Sequence, residues 1–285
     1  MNPINSTSAA AMFRVQVLAR HRAAGIAAVE LALLNQSIPH GLKYVWTRLG
    51  KVKANRDELH VWLASIELAS ERLDELERTL SADEIARAER FYFQRDRQSF
   101  VGRRGILRSI LADYLELKPS VLRFVYNEFG KPGLEASQET GRLSFNLSHS
   151  RELVLIAVAI DRDVGVDIEF IDKSVRSEEV AKRVLSVNEI AALESLPQSL
   201  RLAGFFNCWA RKEAYVKARG MGLSIPLNSF DVSLVRGGTV TSVESANSSG
   251  TSNWKIEDLT IDSRYAAAVA AAGRDWNVVR RNWRL

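Results

Sequence analysis

The string Leu80-Ser-Ala-Asp-Glu-Ile-Ala86 returns 105 residues later as Leu185-Ser-Val-Asn-Glu-Ile-Ala191. Each copy places a glutamate three residues after a serine: Ser81 with Glu84, and Ser186 with Glu189. In that spacing each side chain accepts from the other residue's backbone N–H, so each string opens a helix. A longer helical stretch follows each copy. The first, from about Gln98 to Leu115, aligns Phe100, Ile106, Leu107, Ile110, Leu111 and Leu115 as an apolar stripe. A strand then follows in each case, Leu122–Tyr126 and Phe230–Val235. A repeated plan of this kind points to two α+β halves of similar build, with a cleft between them as the natural place for a site.

Further strands complete the two halves. Leu59-His-Val-Trp-Leu63 alternates apolar and polar residues. Phe145–Leu147 and Leu153–Ile160 read as strands joined by a tight Ser-His-Ser-Arg-Glu connection. Val164–Phe170 opens the second half, and strands near Trp254–Leu259 and Tyr265–Ala271 close it. The expected division is a basic extension over 1–55, one half over 56–163, and a second half with a metal site over 164–285.

Composition excludes several classes. A chain of 285 residues that is 46% hydrophobic and 26% charged has enough apolar material for two modest cores. Its longest clean apolar runs have strand length, well short of the roughly 18 residues of a membrane span. The single cysteine, Cys208, rules out an internal disulfide and a cysteine-rich zinc site. It fits a reducing compartment, so a cytoplasmic location is expected. The net charge of +5 invites a nucleic-acid reading. Yet residues 1–55 hold seven Lys/Arg against the single acid Glu30, which leaves the rest near neutral. That leader reads as a poorly ordered extension, a start placed too far upstream, or a transit peptide.

The sharpest chemical feature is Gly165-Val-Asp-Ile-Glu169. On a strand, Val164, Val166 and Ile168 share a core-facing side, while Gly165, Asp167 and Glu169 share the other. Two carboxylates side by side on such a strand repel unless a cation or strong donors stand between them. A hard divalent metal such as Mg²⁺ would answer that need, and a wet edge strand is the plainer alternative. In Trp209-Ala-Arg-Lys-Glu-Ala-Tyr-Val-Lys217, a helix stacks Trp209, Glu213 and Lys217 on one face with Lys212 beside them. Glu213 could complete a metal site, and Lys217 could neutralise a phosphate; a surface ion pair is the alternative.

In Phe145-Asn-Leu-Ser-His-Ser150, Ser148 and His149 point to opposite faces of a strand and are badly placed to act as a hydrolase pair. Donation to phosphate oxygens suits them better, with a polar turn as the alternative. Seven arginines (87, 90, 95, 97, 103, 104 and 108) stand against two acids between residues 85 and 108. The planar fork of arginine suits phosphate, although a solvated helix face would have the same composition. Lys131, in Phe129-Gly-Lys-Pro132, sits in a turn that could present its ammonium to a ligand.

Together with Gly220-Met-Gly-Leu-Ser-Ile-Pro-Leu-Asn-Ser-Phe230, these strings in this order resemble the phosphopantetheinyl transferases of the broad-specificity Sfp type, over roughly residues 57–272. The resemblance implies a pseudo-twofold α+β fold, with coenzyme A and Mg²⁺ bound between the halves. It implies that Asp167, Glu169 and Glu213 hold the metal, with Asp167 and Glu213 also counted as catalytic. Glu213, directly or through a water, helps remove the proton of a carrier-protein serine, and Lys217 stabilises charge on the leaving phosphate. Arg103, Lys131, Ser148 and His149 bind CoA phosphates, with His149 at the 3′-phosphate; the choice between Arg103 and Arg104 stays open. One departure is that the family's early lysine pair is replaced here by Glu84 and Arg87.

The implied partner is an acyl or peptidyl carrier protein, acidic around its serine, in fatty acid, polyketide or nonribosomal peptide synthesis. Because the repeat lets one chain form a whole site, a monomer is expected, with neither membrane nor nucleic acid as partner. Two competing readings are a metal-dependent phosphodiester-cleaving enzyme and a basic nucleic-acid-binding module.

Overall fold

The computed structural model describes residues 53–138, 142–175, 177–232, 240–242 and 254–283. Nearly all of the basic extension expected over 1–55 lies outside them. The first half runs β1 (Glu58–Ser65), α1 (Ser70–Glu77), α2 (Ala82–Ala88), α3 (Gln94–Leu115), β2 (Phe124–Tyr126), β3 (Pro132–Leu134), β4 (Leu143–Ser150) and β5 (Leu153–Ile160). The second runs β6 (Val164–Phe170), α4 (Ser177–Val184), α5 (Val187–Glu194), α6 (Gln198–Arg219), β7 (Phe230–Val232), β8 (Val240–Ser242), β9 (Trp254–Asp258), β10 (Tyr265–Ala272) and β11 (Asn277–Asn282).

Both capping boxes form, at the starts of α2 and α5. The serine N–H of each donates to its glutamate, at 3.0 Å for Ser81 and 2.8 Å for Ser186. Each glutamate also takes a cation from the long helix that follows. Glu84 accepts from Arg104 and, at 2.6 Å, from Arg108 of α3. Glu189 pairs with Lys212 of α6 at 2.8 Å. The repeated string thus does two jobs per copy: it starts a short helix and docks that helix on a long one. Both long helices have 22 residues.

The strands form two main sheets, ordered β11-β1-β5-β4 and β6-β10-β9. The second is antiparallel throughout. The first is antiparallel except at β11, which returns from the end of the chain to pair parallel with β1, Glu58 opposite Asn277. The described residues therefore make four layers, helix, sheet, sheet, helix. Ile106, Leu107, Ile110 and Leu111 of α3 pack on Trp62, Phe145 and Ile156. Phe205, Ala210, Ala214 and Ala218 of α6 pack on Ala266, Ala268 and Ala270. Between the sheets, Leu59, Val61, Leu155 and Ala157 meet Val164, Val166, Ile168 and Val269.

Several boundaries differ from the sequence expectation, three of them close to the site, and the end of the strand expected over Phe230–Val235 lies outside the described residues. The long helix starts at Gln94 rather than Gln98, with Phe93 extended at its cap and Asp96 in its first turn. The strand after it is shorter, because the Leu122 carbonyl is taken by the buried Arg108 guanidinium at 3.0 Å. The strand at Phe145–Leu147 is longer and runs through Ser150, so the connection to β5 is only Arg151 and Glu152. Arg151 turns the corner at φ 53°.

Candidate active site

Strand β6 carries Asp167 and Glu169, and it lies directly under α6, which carries Glu213 and Lys217. The approach is close enough that a Cβ on Gly165 would stand 2.1 Å from the Ala214 carbonyl oxygen and 2.3 Å from the Ala218 nitrogen. Ala214 and Ala218 bracket Lys217, so this contact brings the lysine onto the strand. Val164, Val166 and Ile168 are fully buried on the opposite side, as the alternation predicts.

Asp167 is only 1% exposed. Its Oδ1 accepts from Ser148 Oγ at 2.8 Å and from Lys217 Nζ at 2.5 Å, and Lys217 also reaches Ser148 Oγ at 3.0 Å. Its Oδ2 is buried and has no hydrogen-bond partner among the described residues. Beside it, burial and the Asp167 charge push the Glu169 carboxyl up to about 7. Burial, then Asp167, also raises Glu213 above the usual carboxylate range. These carboxylates share one neighbourhood without closing into a cluster. Among the described residues, no three His, Cys, Asp or Glu side chains form a ready metal site. The donor chemistry nonetheless suits a hard cation, since an orphaned carboxylate oxygen and two carboxyls disfavoured by burial would all gain from one.

The odd and even residues of β4 part company. Ser148 turns to Asp167 in the second half, while His149 lies on the other face of the strand and is exposed. Partial desolvation, then Arg103 and Lys217, lowers the His149 imidazole to about 4. Burial and the neighbouring Arg87 lower the Arg103 guanidinium in turn. Arg103 thus lies within electrostatic reach of both His149 and Arg87, and Arg87 also lines a recess with Asp83, Arg90 and Phe91. Arg104 is occupied differently: it binds Glu84 and the Tyr126 hydroxyl. Arg103 has a partner within its own helix, its Nε donating to the Ser99 carbonyl at 3.0 Å. Glu84 is buried and anchors α3 through Arg104 and Arg108.

Two residues carried over to CoA phosphates have other partners. Ser148 is buried and bound to Asp167 and Lys217. Lys131 Nζ donates to the Val164 carbonyl at 3.1 Å and the Ala218 carbonyl at 3.0 Å, and burial lowers its ammonium to about 8. Lys212 lies apart from the site and is fully buried against Glu189. Beside Glu169, a groove of about 310 Å³ is lined by Phe170, Val175, Phe205, Phe206 and Trp209.

A buried carboxylate held against a lysine, with arginines on the other half, suits chemistry on a phosphate group. The sequence matches the 4′-phosphopantetheinyl transferase superfamily over residues 163–270, and the 4′-phosphopantetheinyl transferase N-terminal family over residues 68–161. It is 40% identical over 220 residues to the 4′-phosphopantetheinyl transferase HetI of Nostoc sp., covering 77% of this chain and 90% of that protein. It is 32% identical over 197 residues to the 4′-phosphopantetheinyl transferase Sfp of Bacillus subtilis, covering 69% and 84%. Among solved structures, the holo-[acyl-carrier-protein] synthase of Thermotoga maritima overlaps 39% of this chain and 63% of its own, at 18% identity and a TM-score of 0.32. The chain belongs to the 4′-phosphopantetheinyl transferase superfamily. The phosphodiester-cleaving and nucleic-acid-binding readings have no support from these relatives. No described helix is long and apolar enough to cross a membrane.

Proposed function

We propose that this enzyme moves the 4′-phosphopantetheine arm of coenzyme A onto a serine of an acyl or peptidyl carrier protein, releasing 3′,5′-ADP. The observation that carries the reading is the buried Asp167, with one oxygen on Ser148 and Lys217 and the other without a partner among the described residues. Asp167, Glu169 and Glu213 would hold Mg²⁺. Bound there, the ion would offset the negative charge of the CoA pyrophosphate as the phosphoryl group transfers.

The chain's own residues divide the remaining work. The serine oxygen attacks the β-phosphate, forming one P–O bond as the P–O bond to 3′,5′-ADP breaks. Glu213 takes the serine proton, directly or through a water. Lys217 keeps a third N–H beyond its bonds to Asp167 and Ser148, and directs it at the leaving phosphate. His149, Arg103 and Arg87 bind the 3′-phosphate, holding the nucleotide so that the pyrophosphate reaches Asp167. Lys131 and Ser148 support the site from behind, through the bonds already described. The groove beside Glu169, with Trp209 and Phe206 in its wall, receives the carrier or the emerging arm. A carrier in the cytoplasm and a monomeric enzyme fit this reading.

The test separates the phosphate end from the reacting end. Calorimetric titration of His149→Gln should show CoA binding weakened about tenfold, the scale of one charge-assisted hydrogen bond. Binding of 3′-dephospho-CoA should change less than about twofold, since the lost partner is absent from that ligand. Equal losses for the two ligands would remove His149 from the 3′-phosphate.

A further inference from the structure

Strand β6 is an edge strand of its sheet, and β4 is an edge strand of the other. An edge leaves a row of backbone N–H and C=O groups without ladder partners. Here the two edges meet without pairing as strands, and side chains of the first half bind the row instead. Asn146 Oδ1 accepts from the Val166 N–H at 2.9 Å, and Ser150 Oγ accepts from the Phe170 N–H at 2.9 Å. Lys131 Nζ donates to the Val164 carbonyl at 3.1 Å. Between Asn146 and Ser150, Ser148 bonds Asp167 itself. The residues at 146, 148 and 150 share one face of β4. That spacing is why the strand continues through a polar stretch that reads as a turn.

We infer that Asn146, Ser150 and Lys131 form a side-chain seam that sets the position of β6, and that Asn146 is a positioning residue for Asp167. The inference rests on the proposed role of Asp167. Asn146 is 6% exposed, and its bond falls on the residue immediately before that carboxylate. Side chains alternate along β6, so a shift of one residue at the seam would turn Asp167 away from Lys217. The seam therefore carries geometry from the half that holds His149 and Arg103 to the half that holds the carboxylates. His149 lies on the other face of β4, so loss of the Asn146 bond should disturb turnover more than nucleotide binding.

The experiment uses the full chain, with amide exchange measured on the free protein and carrier loading measured with CoA and Mg²⁺. Asn146→Leu keeps similar bulk and removes the acceptor; Asn146→Asp keeps an acceptor oxygen. In Asn146→Leu the Val166 amide should exchange about tenfold faster or more, with Val269 in the same sheet unchanged. Its kcat should fall roughly 10- to 100-fold with KM for CoA within about threefold. Asn146→Asp should recover most of the Val166 protection and of kcat. Unchanged Val166 protection, or a KM rise that matches the kcat loss, overturns the inference. Should Asn146→Leu fail to fold, Ser150→Ala carries the same test at the Phe170 amide. If wild-type protein loads no carrier, the proposed function fails, and the exchange results still decide whether the seam exists.

Discussion

Asp167→Asn should lower carrier loading about a thousandfold, because it removes the carboxylate that binds the lysine and would also meet the proposed cation. The substitution keeps the shape of the side chain. An amide oxygen can still accept from Ser148 Oγ, so the local geometry has a reason to survive. What goes is the charge, which holds Lys217 at 2.5 Å, together with the oxygen Oδ2 that would take the proposed metal. The stability effect should be small, within about 1 kcal/mol, because desolvating a buried carboxylate offsets much of its pairing with an ammonium. Lys217 is 30% exposed at its side chain and can turn to water when its partner is neutral. Thermal melting within a few degrees of wild type, with loading lost at every Mg²⁺ concentration, is the expected pair of results. Wild-type turnover under limiting Mg²⁺ would rule out the metal assignment.

Gly165→Ala should be damaging in a different way, costing both stability and activity. The added Cβ meets backbone atoms, the Ala214 oxygen and the Ala218 nitrogen, and backbone cannot swing aside as a side chain can. Relief requires α6 to lift from β6. Overpacking of this kind costs about 3 kcal/mol, which for a protein of this size lowers the melting temperature by roughly 6–12 °C. Lifting α6 also withdraws Glu213 and Lys217 from Asp167, and a displacement near 1 Å at a reacting centre costs about a hundredfold in rate. Circular dichroism should still show a folded protein at low temperature. Melting within about a degree of wild type together with near-normal loading would show that the helix and strand tolerate separation, contrary to this account.

The parts of the fold that were legible were those written in local chemistry. The two capping boxes depend on residues three apart, and both form. Strand alternation placed Val164, Val166 and Ile168 in a core and set Asp167 on the other side. It also separated Ser148 from His149. Other features depend on contacts across long stretches of chain. Glu84 reads as a helix cap, and its second role as anchor for Arg104 and Arg108 appears only when α2 lies on α3. Strand β11 has the polar run Asn277-Val-Val-Arg-Arg-Asn282, and its parallel pairing with β1 joins the two ends of the described fold.

The site divides in the same way. Asp167, Glu169, Glu213 and Lys217 each lie on a regular element, so spacing alone places them on β6 and α6. Arg103 and Arg104 cannot be told apart in sequence, since neighbouring helix residues differ only in which direction they face; in the fold Arg104 binds Glu84 and Tyr126. Lys131 looked like a free turn lysine and is instead bonded to the ends of β6 and α6. The spaced polar residues Asn146, Ser148 and Ser150 carried a period-two signal. The sequence places Asn146 in a strand but ends that strand at Leu147, because no sequence pattern shows that a second edge strand lies opposite Ser148 and Ser150.

Carrier loading is read most directly from the intact mass of an apo acyl or peptidyl carrier protein after incubation with this enzyme, CoA and Mg²⁺, with an EDTA control. A gain of about 340 Da on the carrier is expected, the increment of one phosphopantetheinyl group on serine, and it should disappear with EDTA. A gain that persists in EDTA would contradict the metal assignment to Asp167, Glu169 and Glu213. No gain with carriers from fatty acid, polyketide and peptide synthesis, in a preparation that also fails to bind CoA, would contradict the proposed reaction itself.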